Sequence, residues 1–338
     1  MVRQDSGMKE IGSEFWDVPV RGTANGLFGE DCQWYLSGRS ALQAIIQDLK
    51  GCRTAAMPGW CCDSMIKPFA DAGMDIRFYP VWFDGKLRQE PRTDCDILFL
   101  MDYFGYTQGQ PETAGFRGIV IRDETHSILS RTYDDEDYVF GSFRKWCGVW
   151  TGGYARTRDG HPLPEGDEGG AEYIRLRKEA MERKAAYIQG DTTEKDYLAI
   201  FAEAETALEN TGIIAGAARD IRLMQEADTE QIRRRRRANA EVLREAFPEW
   251  LIFPKMEEND CPMFVPIMAP GGRRDELRRY LIRESIYCPV HWPVSAYHRL
   301  TEPERVLYDN ELSLVCDQRY QRDDMQRMAA KIKEFMEA

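Results

Sequence analysis

Gly118-Ile119-Val120-Ile121-Arg122-Asp123-Glu124-Thr125-His126 is an apolar run of strand length that ends abruptly in polar side chains. A continuous apolar run, as opposed to an alternating one, suits a strand buried on both faces, as in a parallel sheet covered by helices. Asp96 to Met101 has the same character, and Ile76 to Val81 reads as a further strand. Helical patterns precede them. Ser40 to Leu49 places Leu42, Ile45, Ile46 and Leu49 on one face, and Met65 to Ala72 reads as a second helix stopped by Gly73. Helices alternating with doubly buried strands predict a doubly wound α/β domain for the first half.

Beyond a polar, glycine-rich loop (Gly160 to Gly170) the pattern turns helical. Ile174, Met181, Ala185 and Ile188 keep helical spacing, and further helices are expected from Tyr197 to about Asn210 and from Ile214 to about Phe247. From Trp250 onward the pattern is mixed: a strand at Met263 to Met268, a helix at Asp275 to Glu284, and a terminal amphipathic helix marked by Met325, Met328, Ala329, Ile332, Phe335 and Met336. The expected organisation is a large α/β domain over 12–240 and a small α+β domain over 241–338. No internal repeat or low-complexity segment interrupts it.

At 338 residues the chain is too long for one small core. No apolar run approaches the roughly 18 to 20 residues that span a bilayer. Met1 to Glu10 has no apolar signal-peptide core, so a cytoplasmic protein is expected, without a membrane partner. Nine cysteines cannot all pair within the chain, and none forms a C-x-x-C pair; reduced, buried thiols and no metal site are expected. The net charge of −12 lacks the basic field of a nucleic-acid binder. The one basic run, Arg233 to Arg237, reads as a solvated helix face or a contact with a neighbouring subunit.

Four places could carry chemistry. Asp123 follows its strand directly, and ligands of open α/β sheets bind beyond the carboxyl ends of strands; it could equally cap a following helix. Lys145 sits in Phe143-Arg144-Lys145-Trp146-Cys147, with Val149 and Trp150 beyond. Desolvation there would lower its pKa and make the amine nucleophilic, as Schiff-base chemistry requires, unless the side chain snorkels to water. Leu36-Ser37-Gly38-Arg39-Ser40-Ala41-Leu42 is a small-residue turn opening a helix, fit either for a phosphate or for plain capping. Trp60, in Met57-Pro58-Gly59-Trp60-Cys61-Cys62-Asp63, could stack on a planar ligand or fill the core. Taken in order, a phosphate turn, an aromatic loop, a strand-end Asp and an apolar-embedded Lys form the set that a pyridoxal 5'-phosphate (PLP) enzyme needs.

These segments resemble the DegT/DnrJ-type branch of the PLP-dependent aminotransferases, from about Glu14 to Phe335. The resemblance implies the fold type I architecture of the PLP-dependent transferases: a large doubly wound mixed or parallel sheet domain plus a small C-terminal α+β domain. Ser37 to Leu42 is similar to the family's phosphate turn, so Gly38, Arg39 and Ser40 would bind phosphate. Pro58 to Cys62 resembles the segment whose aromatic residue, here Trp60, stacks on the cofactor. Asp123 to Ser127 resembles the D-x-x-[HQ] element, with Asp123 on the pyridine nitrogen and His126 near the 3-hydroxyl. Ser142-Phe143-Arg144-Lys145-Trp146 resembles an S-x-x-K-W lysine motif, with Ser142 on the phosphate and Lys145 joined to the cofactor. Gly152-Gly153-Tyr154 matches the post-lysine glycines. Tyr287 to Trp292 and Asp317 to Tyr320 resemble the small-domain segments near the site. Arg144, Tyr154 and His291 are the substrate-side candidates. The family's interface asparagine has only Asn210 and Asn239 as candidates. Two features depart from the sugar-aminotransferase pattern: the serine-to-lysine step is three residues, and Thr151-Gly152-Gly153 lacks the acidic residue of G-E-G-G.

The resemblance implies amino transfer from glutamate or glutamine to a keto-sugar of the nucleotide-linked kind, by a homodimer with active sites at its interface. A non-sugar carbonyl acceptor stays open because of the lysine motif. The third reading is a degenerate fold that binds or regulates without catalysis. Lys145 argues against the dehydratase branch, in which a histidine replaces it.

Overall fold

The computed structural model describes residues 10–337 apart from 112, 114, 131–135 and 210. In chain order the elements are β1 (Ile11–Gly12), β2 (Gln33–Tyr35), α1 (Gly38–Asp48), β3 (Thr54–Pro58), α2 (Asp63–Asp71), β4 (Asp75–Tyr79), β5 (Val81–Phe83), β6 (Leu87–Gln89), β7 (Ile97–Met101), β8 (Ile119–Asp123), β9 (Tyr138–Ser142) and β10 (Gly153–Thr157). Then follow α3 (Ala171–Gln189), α4 (Tyr197–Leu208), α5 (Ala218–Glu226), α6 (Thr229–Ala246), β11 (Phe264–Met268), α7 (Arg274–Arg283), β12 (Ile286–Tyr287), α8 (Glu302–Asn310), β13 (Glu311–Val315) and α9 (Arg322–Glu337).

Seven strands form one sheet in the order β2-β10-β9-β8-β7-β3-β4. β3, β4, β7, β8 and β9 run parallel, while β10 is antiparallel to both of its neighbours. Every residue of β7 and β9 is buried, which is why both are unbroken apolar or small-residue runs. The parallel strands therefore end along one edge, at Pro58, Met101, Asp123 and Ser142. Arg122 is the exception in β8. Its guanidinium is 1% exposed and pairs with Asp102 at 2.8 Å and with Glu136, while Ser127 donates to Asp102.

A second apolar core joins Ile11 to Ala240, Leu243, Val265, Leu281, Leu314 and the inner face of α9. It is organised by the antiparallel β11–β13 pair and by β1, which pairs with β12 in parallel. The stretch expected as one helix from Ile214 to Phe247 is in fact two. Ala227 is extended (ψ 139) and bridges Val20, and Asp228 caps α6 by accepting the Gln231 N–H at 2.9 Å. Ile214 and Ala215 lie in β-bridges with Asp167 and Tyr35. All nine cysteines are free. Among the described residues no helix is long and apolar enough to cross a membrane.

Candidate active site

Asp123 is the last residue of β8 and is 3% exposed. Its Oδ1 accepts the Thr125 N–H at 2.9 Å, which bends the chain into a turn. Burial lifts the carboxyl to about 6, against the pull of the Thr125 hydrogen bonds and of Lys145. His126 follows in the same turn, and its Nδ1 faces the Phe104 N–H at 3.4 Å. Burial, then Lys145, lowers its imidazole to about 3, so it is neutral at physiological pH.

Lys145 ends a single 3-10 turn that follows β9. Phe143, Trp146, Cys147 and Val149 are all buried in one apolar cluster, and they fix that turn. The Trp146 indole donates to the Thr125 carbonyl at 2.7 Å, tying the lysine turn to the Asp123 turn. With its neighbours turned inward, Lys145 is left projecting into a cavity. Solvent reaches it through the mouth, while protein crowds its other sides. Burial, then Arg144, pushes its ammonium below the usual lysine range, with Glu205 and Glu14 opposing. Arg144 is buried against Glu205, and its Nε has no partner.

The cavity measures about 510 Å³. Lys145, Arg144, His126 and Cys62 line it from the sheet side, and His291 and Trp292 face them from the segment after β12. Its wall also holds Arg236, Arg278 and Arg319, so five cations meet two carboxylates, Glu14 and Asp317, in a chain of net charge −12. Such a pocket attracts anionic ligands.

Several expected site residues stand outside the cavity lining. Trp60 is fully buried, stacks on Tyr103 at 4.9 Å, and meets the edge of Trp292 at 5.5 Å. Its faces thus serve packing in this conformation, because Trp292 also stacks on His126 at 5.6 Å. Ser37 caps α1 by accepting the Ser40 N–H at 3.1 Å. The Ser40 hydroxyl donates to the Gly212 carbonyl and Arg39 to the Leu208 carbonyl, so both side chains are engaged away from the cavity. Gly38 brings the helix start against β9: a Cβ there would lie 3.3 Å from the Cβ of Ser142. Ser142 itself is buried. Tyr154 is buried in β10, and its hydroxyl donates to Glu124 at 2.7 Å, away from the cavity. Asn239 is spent on the carbonyls of Asp317 and Tyr320, at 3.0 Å each; Asn210 lies outside the described residues.

The basic run is not a solvated face throughout. Arg236 is 1% exposed, lies over Trp146 at 4.4 Å, and donates to Met263 O and Gln318 Oε1. Arg233 and Arg237 donate to the carbonyls of Leu129, Glu257, Glu258 and Asp260. Arg236, Arg278, Arg319 and Glu14 went unassigned in the sequence. Only Arg319 had a signal, its place in Asp317-Gln318-Arg319-Tyr320.

No family model matches the sequence, and no curated protein matches it. Solved structures do match its shape. PseC of Helicobacter pylori, an aminotransferase involved in the biosynthesis of pseudoaminic acid, superposes with a TM-score of 0.63 at 13% identity, over 95% of this chain and 99% of that one. DesV of S. venezuelae, solved with a ketimine intermediate, gives 0.60 at 15% identity, over 99% and 92%. A DegT DnrJ EryC1 StrS aminotransferase from Brucella abortus gives 0.58 at 15%, over 90% and 85%. The chain therefore has the fold of the fold type I aminotransferases.

Proposed function

We propose that this chain is a PLP-dependent aminotransferase that passes an amino group from glutamate or glutamine to a keto-sugar of the nucleotide-linked class. The observation that carries the reading is the joint placement of Lys145 and Asp123. Asp123 ends β8 and Lys145 ends the turn that follows the neighbouring β9; Trp146 ties the two turns together, with Lys145 in the wall of a cation-rich cavity and Asp123 buried outside its lining. The donor set fits PLP: an amine of lowered pKa, a buried carboxylate at the next strand end, and a helix start where a glycine leaves the backbone close to Ser142. When bound, PLP supplies the electron sink that amino transfer requires.

In this reading Lys145 holds the cofactor covalently and, once released from it, moves a proton with its amine. Asp123 keeps the ring nitrogen protonated. A carboxyl at about 6 is mostly ionised at neutral pH and would be held more firmly so by a cationic partner. His126, being neutral, can hydrogen-bond the ring hydroxyl. The backbone N–H groups of Gly38 and Arg39 at the start of α1 and the Ser142 hydroxyl would hold the phosphate, the Arg39 and Ser40 side chains staying on Leu208 and Gly212; Trp60 would pack on the ring only with Trp292 moved off it. The cations of the cavity suit a substrate that brings negative charge, as glutamate and a nucleotide-linked sugar both do. Arg144 and His291 are its proposed contacts. The part that the structural neighbour PseC plays in pseudoaminic acid biosynthesis supports a sugar acceptor; the short serine-to-lysine step favours the alternative, a non-sugar carbonyl compound.

We further propose a homodimer, which sedimentation would test: a monomer at micromolar concentration would contradict it. The acceptor is tested by incubating the PLP-loaded protein with glutamate and a panel of nucleotide-linked keto-sugars and simple keto acids. Amination of the sugars alone supports the first reading. Amination of the keto acids alone supports the second.

A further inference from the structure

Glu311 opens β13 and is fully buried, yet among the described residues no lysine or arginine makes an ion pair with it. Both of its oxygens are nonetheless used. Oε2 accepts the His291 backbone N–H at 2.8 Å, and Oε1 meets the Ser313 hydroxyl at 2.5 Å. Glu311 and Ser313 share a face because they are two residues apart in a strand. The Ser313 Oγ lies 2.8 Å from Nδ1 of His291, whose ring is part of the cavity wall together with Lys145. A buried carboxyl, a hydroxyl and an imidazole thus form one unbroken chain from the second core to the cavity.

A serine hydroxyl carries one proton, so with a neutral imidazole this chain has only two consistent arrangements. With Glu311 protonated, Oε1–H donates to Ser313, Ser313 donates to Nδ1, and the imidazole proton sits on Nε2. With Glu311 ionised, Ser313 donates to the carboxylate, Nδ1–H donates to Ser313, and Nε2 is a bare acceptor. Passing from the first to the second, the Glu311 proton moves to Ser313 and the Ser313 proton to Nδ1. The proton that leaves is the one on Nε2, and the net loss is one proton.

We propose that Glu311 and Ser313 are positioning residues that set the tautomer of His291, so that its Nε2 offers a proton to the cavity in neutral solution and accepts one in alkaline solution. The proposal rests on the aminotransferase reading only for the use made of that proton. Charged or titratable groups face the chain from several sides: Arg274 of α7 and Cys288 near Glu311, and His126 and Lys145 near the ring. Burial first, then His126 and Lys145, pushes His291 well below the usual histidine range, so the ring stays neutral and only its tautomer changes. Burial lifts Glu311 to about 8, which sets where the arrangement inverts.

The test is nitrogen NMR of the histidine-labelled full chain, in which there are only four histidines to assign. Ring nitrogen shifts distinguish the tautomers without cofactor or substrate. Titrated from about pH 6 to about pH 10, bracketing the value of about 8, His291 should pass from Nε2–H to Nδ1–H. In Glu311→Gln the amide oxygen must accept the His291 N–H, so its NH₂ must donate to Ser313. That variant should hold Nε2–H across the whole range. Ser313→Ala should lose the transition as well. A His291 tautomer in the wild type that does not change over this range would overturn the proposal, as would a Glu311→Gln protein that titrates like the wild type. Because the wild-type titration needs no substitution and no PLP, these failures are distinct from failure of the aminotransferase reading.

Discussion

Replacing Arg122 with methionine would remove a buried cation and leave two buried carboxylates facing each other. Arg122 is 1% exposed, with Asp102 at 2.8 Å, Glu136 in direct contact and Gln110 at 3.0 Å. Burial works against its charge, but Asp102 and Glu136 outweigh that and raise its pKa. Methionine refills much of the volume, so the cost is chiefly electrostatic. Breaking such a buried set from one side costs about 3–5 kcal/mol. Replacing Arg122, Asp102 and Glu136 together with apolar residues should cost far less, because no charge is then stranded. The assay is urea unfolding followed by tryptophan fluorescence, with free energies from linear extrapolation. Lys67→Met is the control: its pair with Asp71 is exposed and screened by solvent, so the urea midpoint should stay close to that of the wild type. A single-variant cost under about 1 kcal/mol, or a triple variant as unstable as the single one, would refute the reasoning.

Asp123→Asn should stabilise the cofactor-free protein. The Asp123 carboxyl is raised to about 6 by burial, so its stability contribution is present below the unfolded value and is lost as pH rises through about 6. The variant should thus gain about 3 kcal/mol over wild type above pH 7 and nothing near pH 3, as measured by urea midpoints, while losing amino transfer. His161 bonds Asp159 at 2.5 Å and Asp48 at 2.9 Å, and these partners raise its pKa. Its stabilisation is present below its unfolded value and lost above its raised one; being half open to solvent, it should amount to about 0.5 kcal/mol, seen as a wild-type-minus-His161→Asn difference that vanishes in alkaline buffer. Gly153→Ala should cost about 1–3 kcal/mol in the same assay, because its Cβ would stand 2.1 Å from the Ser37 carbonyl oxygen, which is backbone and cannot swing aside.

The parts of the fold legible in the sequence were those encoded locally. β7 and β8 were unbroken apolar runs, and Asp123 could be placed at a strand end because the run stops there. Lys145 stood out because its neighbours, Phe143, Trp146, Cys147 and Val149, had to turn inward. What was not legible depends on contacts between distant segments. Arg236 looked like its exposed neighbours until Trp146 and Met263 were brought to it by folding. Nothing local in Glu311-Leu312-Ser313 announces a chain to His291, 20 residues earlier. The break at Ala227 was hidden because alanine favours helix; the bridge to Val20 and the Asp228 cap override that preference. Tyr154 was legible as a post-lysine residue, but strand alternation sends its ring to Glu124 and away from Lys145.

In the proposed enzyme Lys145 joins PLP covalently. The direct measurement is borohydride reduction of the protein after incubation with PLP, followed by peptide mass spectrometry, on wild type and Lys145→Ala. The expected result is a reduced pyridoxyl adduct on the peptide carrying Lys145, its loss in the variant, and protection of the wild type from it by prior incubation with glutamate. An adduct spread over surface lysines, equal in the two proteins and indifferent to glutamate, would contradict it.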